Sequence, residues 1–248
     1  MGELNGRVAI VTGASKGIGA AIARRFAEAG AAVAVNYASD KAGADRLVEQ
    51  IQRDGGTAVA IQANVSKSAD VKRLFAETKA KLGAPSILVN NAGVFTFQPL
   101  EAVTEEEFHR QFDTNVLGTL LATREAVSAF NGDGGSVINL STIASVNPVS
   151  NSVVYSSSKA AVDTITRALA IELAPKKIRV NAIAPGATET QGTKTMGLTM
   201  ETATAMGMVM PMGRMGQPDD IARVALFLAS DQSAWLTGER ISASGGQR

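Results

Sequence analysis

The sequence predicts an α/β fold: a single doubly wound parallel sheet of about seven strands, with helices on both faces. Three observations predict it. Short β-branched runs alternate with helical patterns from one end of the 248 residues to the other, the order that builds strand–helix–strand crossovers. The strand runs are apolar almost throughout, as strands covered on both faces must be. No linker or charge block divides the chain, and Gly132-Asp133-Gly134-Gly135 reads as a turn, so residues 1–248 are expected to form one domain.

Each element follows from its local pattern. Val8-Ala9-Ile10-Val11, apolar throughout, is the first strand, and residues 17–29 are the first helix. Ala32-Val33-Ala34-Val35-Asn36 is strand two, followed by a helix over 41–53. Strand three spans 57–61 and a helix spans 67–82. Strand four is 87–90. Residues 105–130 read as helical with a break near Thr114. Strand five is 136–140, a long helix covers 154–173, and strand six is 178–183. A helix over 219–229 and a last strand over 239–242 complete a Rossmann-like arrangement.

Composition removes several function classes. Apolar residues make up 45% and charged residues 19% of the chain, with a formal net charge of +1. That balance suits a packed core and argues against a nucleic-acid or anionic-membrane partner. There is no cysteine, so disulfides, thiolate catalysis and Cys-ligated metal are excluded. His109 is the single histidine, in the charged helix start Glu105-Glu106-Glu107-Phe108-His109; it is expected to be exposed and not catalytic, and no metal site is expected. The first seven residues run into an apolar strand without a signal-peptide pattern, and no apolar run reaches membrane-span length. A cytoplasmic protein is expected.

Residues 188–215 stand apart. They hold Met196, Met200, Met206, Met208, Met210, Met212 and Met215, seven of the eight methionines in 28 positions. Flexible, polarizable side chains after strand six suit a mobile apolar lid over a pocket; the alternative is gap-filling on two small helices.

Two stretches point to a nucleotide. Thr12-Gly13-Ala14-Ser15-Lys16-Gly17-Ile18-Gly19 follows the first strand and opens the first helix. Glycines there let the chain turn tightly and let a pyrophosphate reach the helix N-terminus. The spacing is Gly-x-x-x-Gly-x-Gly, distinct from Gly-x-Gly-x-x-Gly. The end of strand two carries Asn36-Tyr37-Ala38-Ser39 where an acidic residue would hold a free ribose and repel a 2′-phosphate. Asn36, Ser39 and Lys16 are placed to bind that phosphate, so NADP(H) is favoured over NAD(H), with Asp40 counting against it.

The chemistry centres on Tyr155 and Lys159, four positions apart and so on one helix face. A tyrosine titrates near ~10. A cation at ~4 Å stabilises its phenolate by about 4 kcal/mol at an effective dielectric of ~20, lowering its pKa so that it can exchange protons with an alcohol or carbonyl oxygen.

Together the glycine turn, Asn64-Val65, Asn90-Asn91-Ala92-Gly93, Asn115-Val116-Leu117-Gly118, Tyr155-x-x-x-Lys159 and Pro185-Gly186 with Thr190 resemble the short-chain dehydrogenase/reductase family over essentially the whole chain. The closest likeness is to its 3-oxoacyl-[acyl-carrier-protein] reductase-like and carbonyl-reductase branch. The resemblance implies that Tyr155 is the general acid in reduction, that Lys159 lowers its pKa and holds the nicotinamide ribose, and that Asn115 bends its helix and fixes a water linked to Lys159. It implies that Asn90, Asn91, Ala92 and Gly93 border the adenine ribose, and that Asn64 and Val65 lie by the adenine, with Asn64 where the family usually has Asp. It implies that Ile183 and Thr188 face the nicotinamide beside Pro185 and Gly186, and that Thr190 reaches the pyrophosphate. The family's substrate-binding serine, 13 residues before the tyrosine, falls on Thr142; Ser141 is its neighbour. Strand neighbours point to opposite faces, so one hydroxyl is expected in the pocket, with Thr142 favoured.

The expected activity is NADPH-dependent reduction of a ketone, either a 3-oxoacyl thioester or a small apolar ketone. Phe95 and Phe97 are candidates for an apolar substrate wall, or else core residues. An NAD-linked alcohol or sugar dehydrogenase and a non-catalytic NADP-binding sensor are the rival readings. The resemblance also implies a homotetramer or homodimer built by the helices of Thr119 and Asp163 and by Gly245-Gly246-Gln247-Arg248, and it leaves docking of an acyl-carrier protein open.

Overall fold

In the computed structural model, which describes residues 2–130, 132–205 and 208–247, each of the first six strands is followed by at least one helix before the next parallel strand. In chain order the elements are β1 (Val8–Val11), α1 (Gly17–Glu28), β2 (Ala32–Tyr37), α2 (Lys41–Arg53), β3 (Thr57–Gln62), α3 (Ser68–Leu82) and β4 (Ile87–Asn90). Then come α4 (Glu105–Phe112), α5 (Gly118–Ala129), β5 (Gly135–Leu140), α6 (Val153–Leu173), β6 (Ile178–Pro185), α7 (Gln191–Thr195), α8 (Met200–Ala205), α9 (Pro218–Ala229) and β7 (Arg240–Ala243). Among the described residues the sheet has seven strands in the order β3-β2-β1-β4-β5-β6-β7, and every pairing is parallel. The chain winds outward in both directions from the β1–β4 junction, the switch point where such sheets open a crevice at their carboxyl ends.

Two apolar layers sandwich the sheet. Ile22 and Phe26 of α1, Ala44 and Ile51 of α2, and Ile221, Ala225 and Leu228 of α9 close one face. Val71, Leu74 and Phe75 of α3, Ala122 and Ala126 of α5, and Ala170 and Leu173 of α6 close the other. Sequence and structure agree on every strand. Strand six runs two residues further than expected, because Ala184 and Pro185 pair with Ser242 and Ala243 of β7.

The helix expected over 105–130 divides. Thr104 caps α4, its hydroxyl accepting from Glu107 N–H. A π turn over Asp113–Leu117 then joins it to α5, which places the break at Thr114 and Asn115 as the sequence indicates. Such wide turns occur mostly at functional sites. Gly118 opens α5 because Val65 lies against it; a Cβ there would come within 2.8 Å of Val65 Cγ2. Residues 188–215 form α7, α8 and the loops around them. Met215 is buried at 2% exposure while Met196 and Met212 are exposed, so Met215 fills the core and does not cover a pocket. Met206 of that segment and the terminal Arg248 lie outside the described residues. No helix among those described is long and apolar enough to cross a membrane.

Candidate active site

A cleft of ≈ 470 Å³ opens at the carboxyl ends of the strands around the switch point. It is lined by the glycine turn (Gly13, Ser15, Lys16, Gly17, Ile18, Gly19), the β2 end (Asn36, Tyr37, Ala38, Ser39), Asn64, Val65, Asn91, Ala92, Gly93 and Thr190. Thus the expected nucleotide residues up to Gly93 meet in one place. Asp40 and Thr114 join them, as do Ala63, Val94, Gln191 and Gly192, close neighbours in sequence of predicted residues that no pattern singled out.

The turn is built to leave its backbone bare. Gly13 and Gly17 both have φ +60°, and a Cβ on Gly13 would come within 2.8 Å of Ala92 Cα. At the N-cap of α1, Lys16 makes no side-chain capping hydrogen bond, which leaves the first-turn N–H groups for an anion. Asn91 Nδ2 donates to the carbonyls of Thr12 and Gly13, at 2.8 and 3.0 Å. Thr12 Oγ1 accepts from the N–H groups of Asn91 and Ala92, each at 3.0 Å. Thr190 packs beside Gly17, its Cβ 3.6 Å from where a Gly17 Cβ would stand. Its hydroxyl caps α7 by accepting from Thr193 N–H. A bare helix N-terminus, a close-packed glycine turn and a cleft of this volume fit a dinucleotide.

Asn36 departs from expectation. It is 1% exposed. Its Oδ1 accepts from Gly13 N–H at 3.1 Å, and its Nδ2 donates to Ala63 O at 3.0 Å and Ile61 O at 3.3 Å. Every polar atom of the amide is spent on backbone, so Asn36 clips the glycine turn to the β3 end and offers no group to a 2′-phosphate. Asp40 is occupied too: it caps α2, accepting from Gly43 N–H at 2.9 Å. The exposed side chains left at this end are Ser39 and Lys16. Asn64 is likewise partly used, its Oδ1 accepting from the N–H and hydroxyl of Ser66, so only its Nδ2 faces a ligand freely.

The second cluster lies past Gly93. A Cβ on Gly93 would sit 3.3 Å from Asn115 Oδ1 and 3.4 Å from Lys159 Nζ, so this glycine joins the cleft to the cluster. Asn115 is buried, accepts from Val94 N–H at 2.8 Å, and donates to Val94 O and to Ser158 Oγ, each at 2.9 Å. Ser158, adjacent to Lys159, was not anticipated. Lys159 is 6% exposed and donates to Leu140 O at 2.7 Å. Burial brings its ammonium down to about 8, opposed by the Asp163 carboxylate. Tyr155 is half-buried, and the protein around its phenol desolvates it and pushes its pKa up to about 12, with the Thr142 hydroxyl pulling the other way. The expected lowering by Lys159 is therefore not the balance found: the ammonium is turned to the Leu140 carbonyl, and desolvation dominates.

Of the two candidate hydroxyls, Thr142 is the neighbour of Tyr155. Ser141 Oγ is buried and has no hydrogen-bond partner among the described residues. Phe95 and Phe97 are 36% and 39% exposed, and both rings stand edge-on to Tyr155 with centroids 5.8 Å away. They form an aromatic wall and not core. Gly192 of α7 approaches Phe95, its Cβ position 3.4 Å from the ring, so residues 188–215 begin at this wall. Thr188 is buried and donates to Gly186 O, while Ala187 N–H donates to Gln247 Oε1 at 2.8 Å. Pro185, Gly186 and Thr188 do not line the cleft itself. His109 is exposed beside Asp113.

A family model described as enoyl-(acyl carrier protein) reductase matches residues 13–248. A solved variant of a short-chain dehydrogenase/reductase from Serratia marcescens is 34% identical, with a TM-score of 0.92 and 98% of each chain covered. The chain belongs to the short-chain dehydrogenase/reductase family. An uncharacterised oxidoreductase of Methylorubrum extorquens is 52% identical over 100% of both chains. The structure of the angucycline C-6 ketoreductase LanV with bound NADP has a TM-score of 0.92 and 37% identity, covering 99% of this chain and 96% of that one. This protein is accordingly an oxidoreductase of that family.

Proposed function

We propose that the protein reduces a ketone to a secondary alcohol with NADPH. The observation that carries this is the Thr142 hydroxyl at the Tyr155 phenol, with Lys159 one helical turn on and its ammonium beside Gly93, which lines the cleft of the glycine turn. The residues for the cofactor are the glycine turn and Thr190 at the pyrophosphate, and Ser39 and Lys16 at the 2′-phosphate, with Asn64, Val65, Asn91 and Ala92 beside the adenosine. Pro185, Gly186 and Thr188 are assigned to the nicotinamide. When bound, the cofactor supplies the hydride.

The side chains do the rest. Thr142 and Tyr155 hold the carbonyl oxygen and polarise it. A phenol near 12 is fully protonated at neutral pH, the form a proton donor needs. Lys159, held charged at pH 7 by a pKa of about 8, favours the phenolate that remains and so helps the proton leave. Asn115 holds the Val94 backbone and the π turn behind Lys159. Phe95 and Phe97 exclude water and favour a substrate that is apolar beside its carbonyl, which suits a small apolar ketone or a 3-oxoacyl thioester. Residues 188–215 act as the lid. Exposed Leu117 at the end of the π turn and Leu120 on α5 fit a homotetramer or homodimer.

Initial rates on a panel of ketones, β-ketoacyl thioesters included, test this with NADPH and NADH in parallel. A clear NADH preference, or oxidation of alcohols only, would favour the dehydrogenase alternative. Tyr155→Phe is expected to lower turnover by about 100-fold to 10,000-fold while leaving NADPH binding by fluorescence intact; retained turnover would refute the proton-transfer role.

A further inference from the structure

Beneath this cluster lies a buried ion pair that the reaction leaves unused. Asp163 stands one helical turn beyond Lys159 on α6 with its side chain 5% exposed, and Arg240 on β7 is 16% exposed. Arg240 Nε donates to Asp163 Oδ2 at 3.0 Å. The same guanidinium donates through Nη2 to the Thr142 carbonyl at 2.9 Å and to Ser145 Oγ at 3.2 Å. The Ser145 hydroxyl reaches the Thr142 carbonyl at 2.8 Å and also Asp163 Oδ2. Two side chains thus converge on the backbone of the residue whose hydroxyl faces Tyr155, and a third anchors both.

A buried ion pair is a weak source of net stability, because desolvation offsets the attraction. What it supplies here is direction. Arginine's planar fork engages a carboxylate and a carbonyl at once in fixed geometry. Asp163, four residues from Lys159, faces the ammonium from the same helix face. The other polar groups around Lys159 are the Leu140 carbonyl on β5 and the Asn115 amide in the π turn; the charge facing Asp163 from β7 is Arg240.

We propose that Asp163 and Arg240 are positioning residues for the reduction: Arg240 fixes the Thr142 backbone from β7, and Asp163 holds a carboxylate opposite Lys159, aligning hydroxyl and ammonium on Tyr155 as one unit. The proposal rests on the reading of Tyr155, Thr142 and Lys159 given above. It makes β7, an edge strand of the sheet, part of the catalytic geometry.

The test uses three variants of the full chain. Arg240→Lys keeps the charge pair but loses the fork. Asp163→Asn keeps the shape and loses the charge. The double variant Asp163→Asn/Arg240→Gln removes both charges, so neither ion is left buried alone. Ketone reduction is expected to lose on the order of 10-fold to 100-fold in kcat in Arg240→Lys and in the double variant, as misplacement of a reacting group does, with NADPH affinity unchanged. In protein labelled with ¹³C-lysine, Lys159 is expected to titrate at lower pH in Asp163→Asn and in the double variant, and unchanged in Arg240→Lys. Folded variants with wild-type kcat and an unmoved Lys159 titration would overturn the proposal. The NMR titration needs no substrate, so it decides the Asp163 arm even if no ketone is turned over; absence of turnover in the wild type would count against the proposed reaction alone. Should the double variant unfold, Arg240→Lys and Asp163→Asn decide the two arms separately.

Discussion

At the scale of single residues, the choice between two neighbouring hydroxyls separates what side-chain type tells from what direction tells. Thr142 faces Tyr155 and Ser141 is turned into the protein. Thr142→Ala is therefore expected to lower kcat/KM by about 10-fold to 1,000-fold, the range for removing one donor to a developing oxyanion, and Ser141→Ala to change it little. A more damaging Ser141→Ala, in the same steady-state assay, would reverse the assignment. The titrations give a second expectation with a defined sign. Lys159 is lowered from 10.5 to about 8 by burial, so its proton is lost from the folded protein as pH rises through about 8. The proposed reduction uses the charged form, so kcat/KM for the ketone is expected to fall above that pH. For stability the sign is opposite: between about 8 and 10.5 the unfolded chain binds the extra proton, so this residue's contribution rises with pH across that window. A pH–rate profile flat up to 10 would exclude Lys159 as the group. Tyr155 and Lys159 were legible in the sequence because helix spacing alone sets a shared face. The role of Asn36 was not, because its partners Gly13, Ile61 and Ala63 lie 23 to 27 residues away, and only the folded sheet brings them to its amide.

At the scale of elements, strand–turn–helix at β1–α1 and the π turn at Asp113–Leu117 carry the site. The glycine turn was readable because its demand is local: a helix N-terminus that a phosphate can approach has no room for side chains. Gly19 shows how little slack remains. A Cβ there would collide with Asn91 Nδ2 and come within 2.8 Å of Gly13 O, and Asn91 is itself the tie that holds the turn. Gly19→Ala is expected to destabilise the fold by about 1–3 kcal/mol, as overpacking does, and to weaken NADPH binding by about 10-fold or more, since 1.4 kcal/mol is tenfold. Unchanged affinity by fluorescence titration would mean that the turn can relax. The π turn was visible only as a break, because Asn and Thr end helices for several reasons. What makes it part of the site is the pair of bonds from Asn115 to Val94 and the bond to Ser158. The lid segment was the least legible element. Its methionine content suggested one role, yet Met215 is packed in the core and Met212 lies against Gly245, with Met212 N–H donating to the Gly245 carbonyl; composition does not tell which methionine faces which way.

At the scale of the whole molecule, the cleft joins residues from both halves of the sheet: the glycine turn and the β2 end on one side of the switch point, and Gly93 with Val94 on the other. Buried amides run beneath this junction. Asn90 Nδ2 donates to Thr123 Oγ1 and to Asn139 Oδ1, and Asn139 donates to Thr166 Oγ1, tying β4, β5, α5 and α6 together. A ligand that spans the cleft therefore binds only the folded arrangement and stabilises it by mass action. At about 100 times its Kd it adds about 2.7 kcal/mol, and for a domain of this size each kcal/mol moves Tm by about 2–4 °C, giving a shift of about 5–10 °C. Ser39 and Lys16 are the groups left to engage a 2′-phosphate, and no free carboxylate at the β2 end rewards a bare ribose. NADPH is thus expected to raise Tm more than NADH at equal concentration, and Lys16→Ala with Ser39→Ala to remove that difference while preserving the shift from NADH. Equal shifts in the wild type, or a larger one from NADH, would place the selectivity with NAD and leave Lys16 as a solvent-facing lysine of the turn.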